Sequence, residues 1–299
     1  MYQTNYHLTP ELQNRLEAVA KKQILRALPV QGGYTPARRL KLTFTDNTTC
    51  FAKIGATSDT ASYLRQENIV YQTLSGSFMP RFLGWDDHPG NPILLLEDLS
   101  HAFWPPPWNG RRIGQVMDSL SLMWNASMPN LPQLTAQNYI WNGWQQVANN
   151  PAPFLSLGLT TEDWLERALP VLLAIDYEAV VNGRSLLHLD LRSDNICFSQ
   201  DHTIFIDWNL VCVGNPNVDL GFWLPSLQAE GGPAPETLLP DAGEIAALVS
   251  GFFAARAGLP TIPNAPRVRH IQQVQLKTAL PWAVRLLNLP PLDGERIRF

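Results

Sequence analysis

Charge is scarce in this 299-residue sequence, where Lys, Arg, Asp and Glu make up only 16% of the chain. Cysteine is scarcer. Cys50, Cys197 and Cys212 are an odd number without metal-ligand spacing, which argues against a disulfide scaffold or a zinc cluster and leaves buried free thiols. No run of about eighteen apolar residues is present. The opening MYQTNYHLTPELQNRLEAVAKKQ also lacks a positive start followed by an apolar core, so neither a membrane span nor a secretory leader is expected and the cytoplasm is the expected compartment. The absence of a basic run argues against nucleic acid as a partner. No low-complexity tract suggests disorder, and no internal repeat suggests a solenoid.

What is abundant is apolar surface: 45% hydrophobic residues, with ten Trp and twelve Phe, enough to offset the entropy of ordering a globular chain. The length suits one large domain or two lobes, and two lobes is the expectation. The net charge of −4 is uneven. Residues 1 to 101 carry ten basic against nine acidic side chains and residues 102 to 299 twelve against seventeen. A slightly basic first part suits a polyanionic cofactor and an acidic second part a cationic substrate, although ordinary solvated surfaces produce the same sums.

Thr9-Pro10 followed by Leu12, Leu16 and Val19 predicts a helix over 10–28, ended by Pro29. RLKLTFT and TTCFAKI alternate around a TDN turn and predict a hairpin with Lys53 near the end of its second strand. SDTASYLRQENIVYQTLSG predicts a helix capped by Ser58 or Asp59 and carrying Glu67, and RFLGW and PILLLEDL predict two more strands. After the Pro-rich connector HAFWPPPWNG the pattern turns helical, over 111–127, 137–149, 161–182 and 241–257. Strands around NICF and TIFIDW, joined by SQDH, interrupt it. The fold class is therefore α+β, with a sheet-rich lobe over 1–98 and a mainly helical lobe over 99–299.

The chemistry concentrates in HLDLRSDNICF, residues 188–198. His188, Asp190 and Asn195, followed across a short hairpin by Asp207, combine a proton acceptor with hard oxygens that suit Mg²⁺ on nucleotide phosphates. Turn chemistry and solvated charge are the alternative for the loop alone. Asp207 weighs against that alternative, because an aspartate directly after TIFI is costly to bury without a compensating cation or hydrogen bonds.

HLDLRSDN, FIDWN and GNPNVDLGFW, in this order and spacing, resemble the small-molecule kinases typified by aminoglycoside phosphotransferases, relatives of choline kinase and of the protein kinases. The resemblance is strongest over 186–224 and weaker from about 30 to 128. It implies a protein-kinase-like bilobal fold with a hinge near Leu99, and Mg²⁺ with ATP or GTP as cosubstrate. It implies Asp190 as the catalytic base, Arg192 beside the transferring phosphate, and Asn195 and Asp207 as metal ligands. His188 and Asp219 become structural supports, Lys53 the phosphate-neutralising strand lysine, and Glu67 its orienting partner. For Arg192 a surface pairing with Asp194 stays open. Glu97, Asp98 and Leu99 take the position where backbone groups meet a purine edge. The chain departs from the pattern in three places: QGGYTPARR has only Gly32-Gly33, Asp207-Trp208-Asn209 stands where protein kinases have Asp-Phe-Gly, and Leu189 replaces a glycine.

The acceptor is less legible. Glu230, Glu236 and Asp241 are candidate contacts for an aminated substrate, or else helix and loop charges. Trp104, Trp108, Trp124, Trp141 and Trp144 are pocket walls or packing residues. The expected function is ATP- or GTP-dependent O-phosphorylation of a small hydroxylated, aminated molecule such as an aminoglycoside-type antibiotic or amino sugar. The alternatives are a housekeeping kinase for choline, homoserine or a hexosamine, and a nucleotide-binding pseudokinase scaffold.

Overall fold

Alternation of apolar and polar residues decides the first layer of the structure. The computed structural model describes residues 6–33, 35–200, 202–263 and 265–295. Tyr34 of QGGYTPARR and Asp201 of the SQDH turn lie outside the described residues. In chain order the elements begin with α1 (Pro10–Ala20), β1 (Ile24–Pro29), β2 (Arg38–Phe44), β3 (Thr49–Ile54), α2 (Ser58–Thr73), β4 (Phe82–Asp86) and β5 (Ile93–Glu97). Helices α3 (Gly110–Trp124), α4 (Asn138–Trp141), α5 (Gly143–Asn149), α6 (Ala152–Leu155), α7 (Glu162–Leu173) and α8 (Tyr177–Val181) follow. Then come β6 (Ser185–Leu187), β7 (Ile196–Ser199), β8 (His202–Phe205), β9 (Cys212–Gly214), α9 (Pro216–Ala229), α10 (Pro235–Leu238), α11 (Gly243–Ala257) and α12 (Arg267–Leu286). The chain forms two compact units: Met1–Pro105, Gln115–Leu122 and Asp194–Asn209 in the first, and Pro106–Gly114, Met123–Ser193 and Leu210–Phe299 in the second.

In the first unit β1 to β5 form an antiparallel sheet in the order β1-β2-β3-β5-β4. Leu40, Leu42 and Phe44 of β2 and Cys50, Ala52 and Ile54 of β3 fall on one face and pack with Leu12 and Leu16 of α1. The two-residue period sends Arg39 and Lys53, which are cross-strand partners, to the opposite face. The β7–β8 hairpin belongs to the same unit, with Ile204 and Cys197 packed against Leu99.

Among its described residues the second unit is mainly helical, with the three-residue pairing of β6 with β9 and a Gln133–Val213 bridge. Helices α9 and α11 are buried nearly all round, which suits central rather than surface positions. Gly143 makes the crossing of α5 with α11 possible, since a Cβ there would lie 2.2 Å from the Gly251 backbone. The indole of Trp144 then donates to the Ala247 carbonyl at 2.8 Å.

Several elements depart from the sequence reading. The helix expected over 10–28 stops at Ala20: Lys21 turns left-handed at φ 54° and the Glu17 carboxylate accepts from the Ile24 N–H at 2.9 Å. Ile24–Pro29 instead becomes an edge strand, where proline is tolerated because no ladder donor is needed. Helix α2 is capped by Thr57 rather than Ser58 or Asp59, through a reciprocal box with Thr60. The helices expected over 137–149 and 161–182 are each split, the first at Asn142 and the second before Asp176, whose side chain caps Ala179 at 3.1 Å. All three cysteines are free and buried. Among the described residues no helix is long and apolar enough to cross a membrane.

Burial predicts the cost of truncation in the sheet core. Leu42 is fully buried whereas Leu25 is 60% exposed. Leu42→Ala should lower the unfolding free energy by about 2–5 kcal/mol, and Leu25→Ala should stay within about 0.5 kcal/mol of the parent, as read by urea denaturation.

Candidate functional site

A lysine buried on the free side of a sheet has to find anions. Lys53 on β3 finds two: its Nζ lies 2.6 Å from Oε2 of Glu67 on α2 and 2.7 Å from Oδ1 of Asp207, just past β8. Lys53 and Glu67 are both buried, while the Asp207 side chain keeps 28% exposure and so retains an open side. Burial opposes the lysine charge most strongly, yet Asp207 and Glu67 together outweigh it and hold the ammonium above the ordinary lysine range. Burial, reinforced by the like charge of Asp207, pushes the Glu67 carboxyl upward against the pull of Lys53. The sequence order Lys53, Glu67, Asp207 thus closes into one ion cluster in the first unit.

Asp207 occupies a left-handed backbone position at φ 69°. Its neighbour Trp208 is fully buried, donating its indole N–H to the Phe205 carbonyl at 2.9 Å and stacking obliquely on Phe78. The tryptophan therefore anchors the turn that presents Asp207. Asn195 is buried immediately before β7, and its carbonyl accepts from the Ile206 N–H at 3.0 Å, tying the two hairpin strands one residue before Asp207. An amide oxygen and a carboxylate are the hard donors that Mg²⁺ uses together with phosphate and water. Among the described residues no group of three or more His, Cys, Asp or Glu side chains gathers to hold a metal by itself.

In the second unit the loop after β6 is organised by one carboxylate. Asp219, fully buried on α9, accepts from the backbone N–H of His188 at 3.1 Å and of Leu189 at 2.7 Å, and from the indole of Trp124 at 3.1 Å. Burial pushes its carboxyl up to about 6, with the three N–H donors opposing a larger rise. These bonds hold Leu189 at φ 61°, a conformation natural to glycine. His188 is fully buried and its Nδ1 accepts from the Asp190 N–H at 3.3 Å. Arg192 pairs with Asp190, Nε to Oδ1 and Nη2 to Oδ2 both at 3.3 Å. Asp194 is exposed.

The remaining candidates have local partners. Glu97 accepts from the backbone and guanidinium of Arg81. Asp98 is buried and salt-bridged to Lys41 at 2.8 Å while capping Ser100; despite burial, these partners hold its carboxyl down at about 2. The Leu99 carbonyl accepts from Ala102 and from the Trp104 indole. Glu230 accepts from the Ser193 hydroxyl at 2.5 Å and the Trp108 indole at 2.7 Å, which ties the loop to the Pro-rich connector. Glu236 is paired with Arg285, and Asp241 sits exposed in a left-handed turn. Of the five tryptophans only Trp144 is buried; Trp104, Trp108, Trp124 and Trp141 are partly exposed. The roles of Trp124 and Ser193 had no sequence signal, because each depends on a partner brought from a distant segment.

Two outcomes follow from this geometry. The folded carboxyl of Asp219 sits near 6 against an ordinary 3.8, so its neutral form is favoured by folding. Its contribution is fully present below about pH 4 and lost as pH rises through 6, by up to about 3 kcal/mol. Urea titrations at several pH values should therefore show the stability gap between the parent and Asp219→Asn narrowing from pH 4 to 6; a widening gap would reverse the assignment. At Leu189, Ala keeps the backbone strain and loses buried surface, whereas Gly relieves the strain. Leu189→Ala should accordingly be the more destabilising by about 1 kcal/mol, measured in the same assay.

With the geometry in hand, comparison with known proteins is informative. The APH family profile, described as phosphotransferase enzyme family, matches residues 26–257. A spectinomycin phosphotransferase solved with ADP and spectinomycin is similar over 95% of this chain and 99% of that one, at 13% identity and a TM-score of 0.61. A macrolide 2'-phosphotransferase type I aligns over 95% and 94% at 13% identity and a TM-score of 0.48. A macrolide 2'-phosphotransferase from Brachybacterium faecium aligns over 93% and 92% at 15% identity and a TM-score of 0.47. No curated protein matches the chain. The first of these structures shares the protein-kinase-like α+β fold, and the family match spans most of the sequence. The chain belongs to the phosphotransferase enzyme family and is a small-molecule kinase.

Proposed function

We propose that the protein transfers the γ-phosphoryl group of ATP or GTP, with Mg²⁺, to a hydroxyl of a small aminated molecule of the aminoglycoside or amino-sugar kind. The observation that carries this reading is the buried Lys53 ammonium held between Glu67 and Asp207. A buried cation shared by two carboxylates is costly to maintain for structure alone. It suits a site where one carboxylate turns to a metal and the lysine to phosphate oxygens once nucleotide arrives.

In the proposed reaction the acceptor oxygen bonds to the γ-phosphorus as the bond to the β–γ bridging oxygen breaks, and the nucleoside diphosphate leaves. Asp190 takes the acceptor hydroxyl proton. Arg192, paired with Asp190, is assigned the role of stabilising charge on the transferring phosphoryl. Asn195 and Asp207 are the residues that would hold Mg²⁺, which when bound neutralises charge on the β and γ phosphates. Lys53 steadies the nucleotide phosphates, with Glu67 orienting it. His188 and Asp219 keep the Asp190 loop in its backbone conformation. Glu97, Asp98 and Leu99 take the hinge position for the purine. The protein thus supplies mainly positioning and charge neutralisation.

The aminated acceptor is supported by the acidic balance of residues 102–299 and by the spectinomycin held in the similar spectinomycin phosphotransferase. An ADP-release screen against aminated sugars, antibiotics and amino alcohols tests it. Asp190→Asn should keep nucleotide affinity while turnover falls by about 10²–10⁴-fold, whereas Asp207→Ala should lose Mg²⁺-dependent nucleotide binding as well. Calorimetry showing equal loss of binding in both variants would contradict the division of roles, and activity on a single metabolite would redirect the acceptor assignment.

A further inference from the structure

Arg39 was not singled out by its sequence, yet its position is unusual. It is the cross-strand partner of Lys53 in the β2–β3 register, so both side chains leave the same face of the sheet. Its charge also reaches Glu67, whose carboxyl it helps hold down after Lys53.

The guanidinium is held rigidly, but by neutral groups. Nη1 donates to the Thr35 carbonyl at 3.1 Å and to the Ala37 carbonyl at 2.9 Å, and Nη2 donates to the Thr35 hydroxyl at 3.0 Å. Among the described residues its bonding partners are two carbonyls and a hydroxyl, with no carboxylate at ion-pair distance. An arginine has five N–H donors. Both donors of Nη1 and one of Nη2 are used, which leaves the Nε–H and the second Nη2–H. These two form the side-on edge of the fork, the edge that matches a phosphate or carboxylate in bidentate fashion.

The backbone of the preceding turn approaches the guanidinium closely. Gly33, at φ +75°, lies so close that a Cβ would stand 2.4 Å from Cζ and Nη2 and 2.8 Å from Nε of Arg39. Glycine alone meets both the left-handed conformation and the approach. The Gly32-Gly33 turn, a weak phosphate-loop signal by itself, therefore has a definite partner: its backbone packs directly against the Arg39 guanidinium.

We propose that Arg39 is a second phosphate-binding cation, taking a phosphate of the nucleoside triphosphate on its Nε/Nη2 edge beside Lys53. The proposal rests on the nucleotide-dependent phosphotransfer described above and assigns its phosphate recognition to two strands rather than one. Thr35 and Ala37 pre-orient the fork, so little side-chain entropy remains to be lost when the anion docks.

The test compares ATP, ADP, adenosine and inorganic tripolyphosphate by calorimetry with Mg²⁺, using the full chain, Arg39→Gln and Arg39→Lys. Loss of a charge-assisted bidentate contact should weaken ATP and tripolyphosphate about ten- to hundredfold in Arg39→Gln, leave adenosine unchanged, and be only partly restored by lysine. Thr35→Val, which keeps the charge and removes one anchor, should weaken ATP by a smaller factor at an unchanged melting temperature. Equal weakening of ATP and adenosine would make Arg39 a merely structural residue and overturn the proposal, as would unchanged ATP affinity in Arg39→Gln. If the parent protein binds adenosine but gains nothing from the phosphates, the phosphotransfer reading itself fails, an outcome distinct from failure of Arg39 alone.

Discussion

One ammonium group organises the first unit. Lys53 joins β3, α2 and the exit from β8 through two carboxylates at 2.6 and 2.7 Å, and each partner is held by its own element. Three buried or half-buried charges are tolerable only as a set: removing one member of such a cluster strands another in a low-dielectric site, a loss of about 3–5 kcal/mol in comparable buried pairs. The constraint reaches backward into the sheet. The register between β2 and β3 must keep Lys53 off the Leu40–Ala52 core face, because a slip of one residue would send it into the apolar cluster with α1.

The second unit depends on a comparable arrangement with the signs reversed. Asp219 is a buried carboxylate that, among the described residues, is stabilised by three N–H donors rather than by an ion pair. Two of those donors are backbone groups of the loop leading to Asp190, so the carboxylate sets a backbone conformation rather than a side-chain pose. Leu189 can occupy a left-handed position because its N–H is bonded at 2.7 Å and its side chain is buried. Burial of a leucine is worth about 1.5–3 kcal/mol, which exceeds the roughly 1–2 kcal/mol of left-handed strain.

Much of this was legible because it follows from short periods. Two-residue alternation placed β2, β3 and Lys53, and an apolar stripe with a terminal break placed α2 and Glu67. The order and spacing of Asp190, Asn195, Asp207 and Asp219 carried the family, which the profile match over residues 26–257 bears out. Illegible elements had no period to read. Helix α9 is buried on every side and so lacks an amphipathic pattern, β6 and β9 are three residues each, and the end of α1 depends on Glu17 capturing a strand N–H.

The amino-acid sequence by itself determined the α+β class and the phosphotransferase family, since these rest on local propensity and on residues close together along the chain. Tertiary structure alone decided which charges share a partner. Beside Glu67, which the family resemblance already paired with Lys53, Asp207 stands 154 residues away and also reaches the lysine Nζ. Arg192 turned to Asp190, Glu230 to Ser193 and Trp108, and Arg39 to neutral groups beside Gly33. Electrostatic pairing is governed by distance and burial in space, and neither quantity is a property of position along the chain.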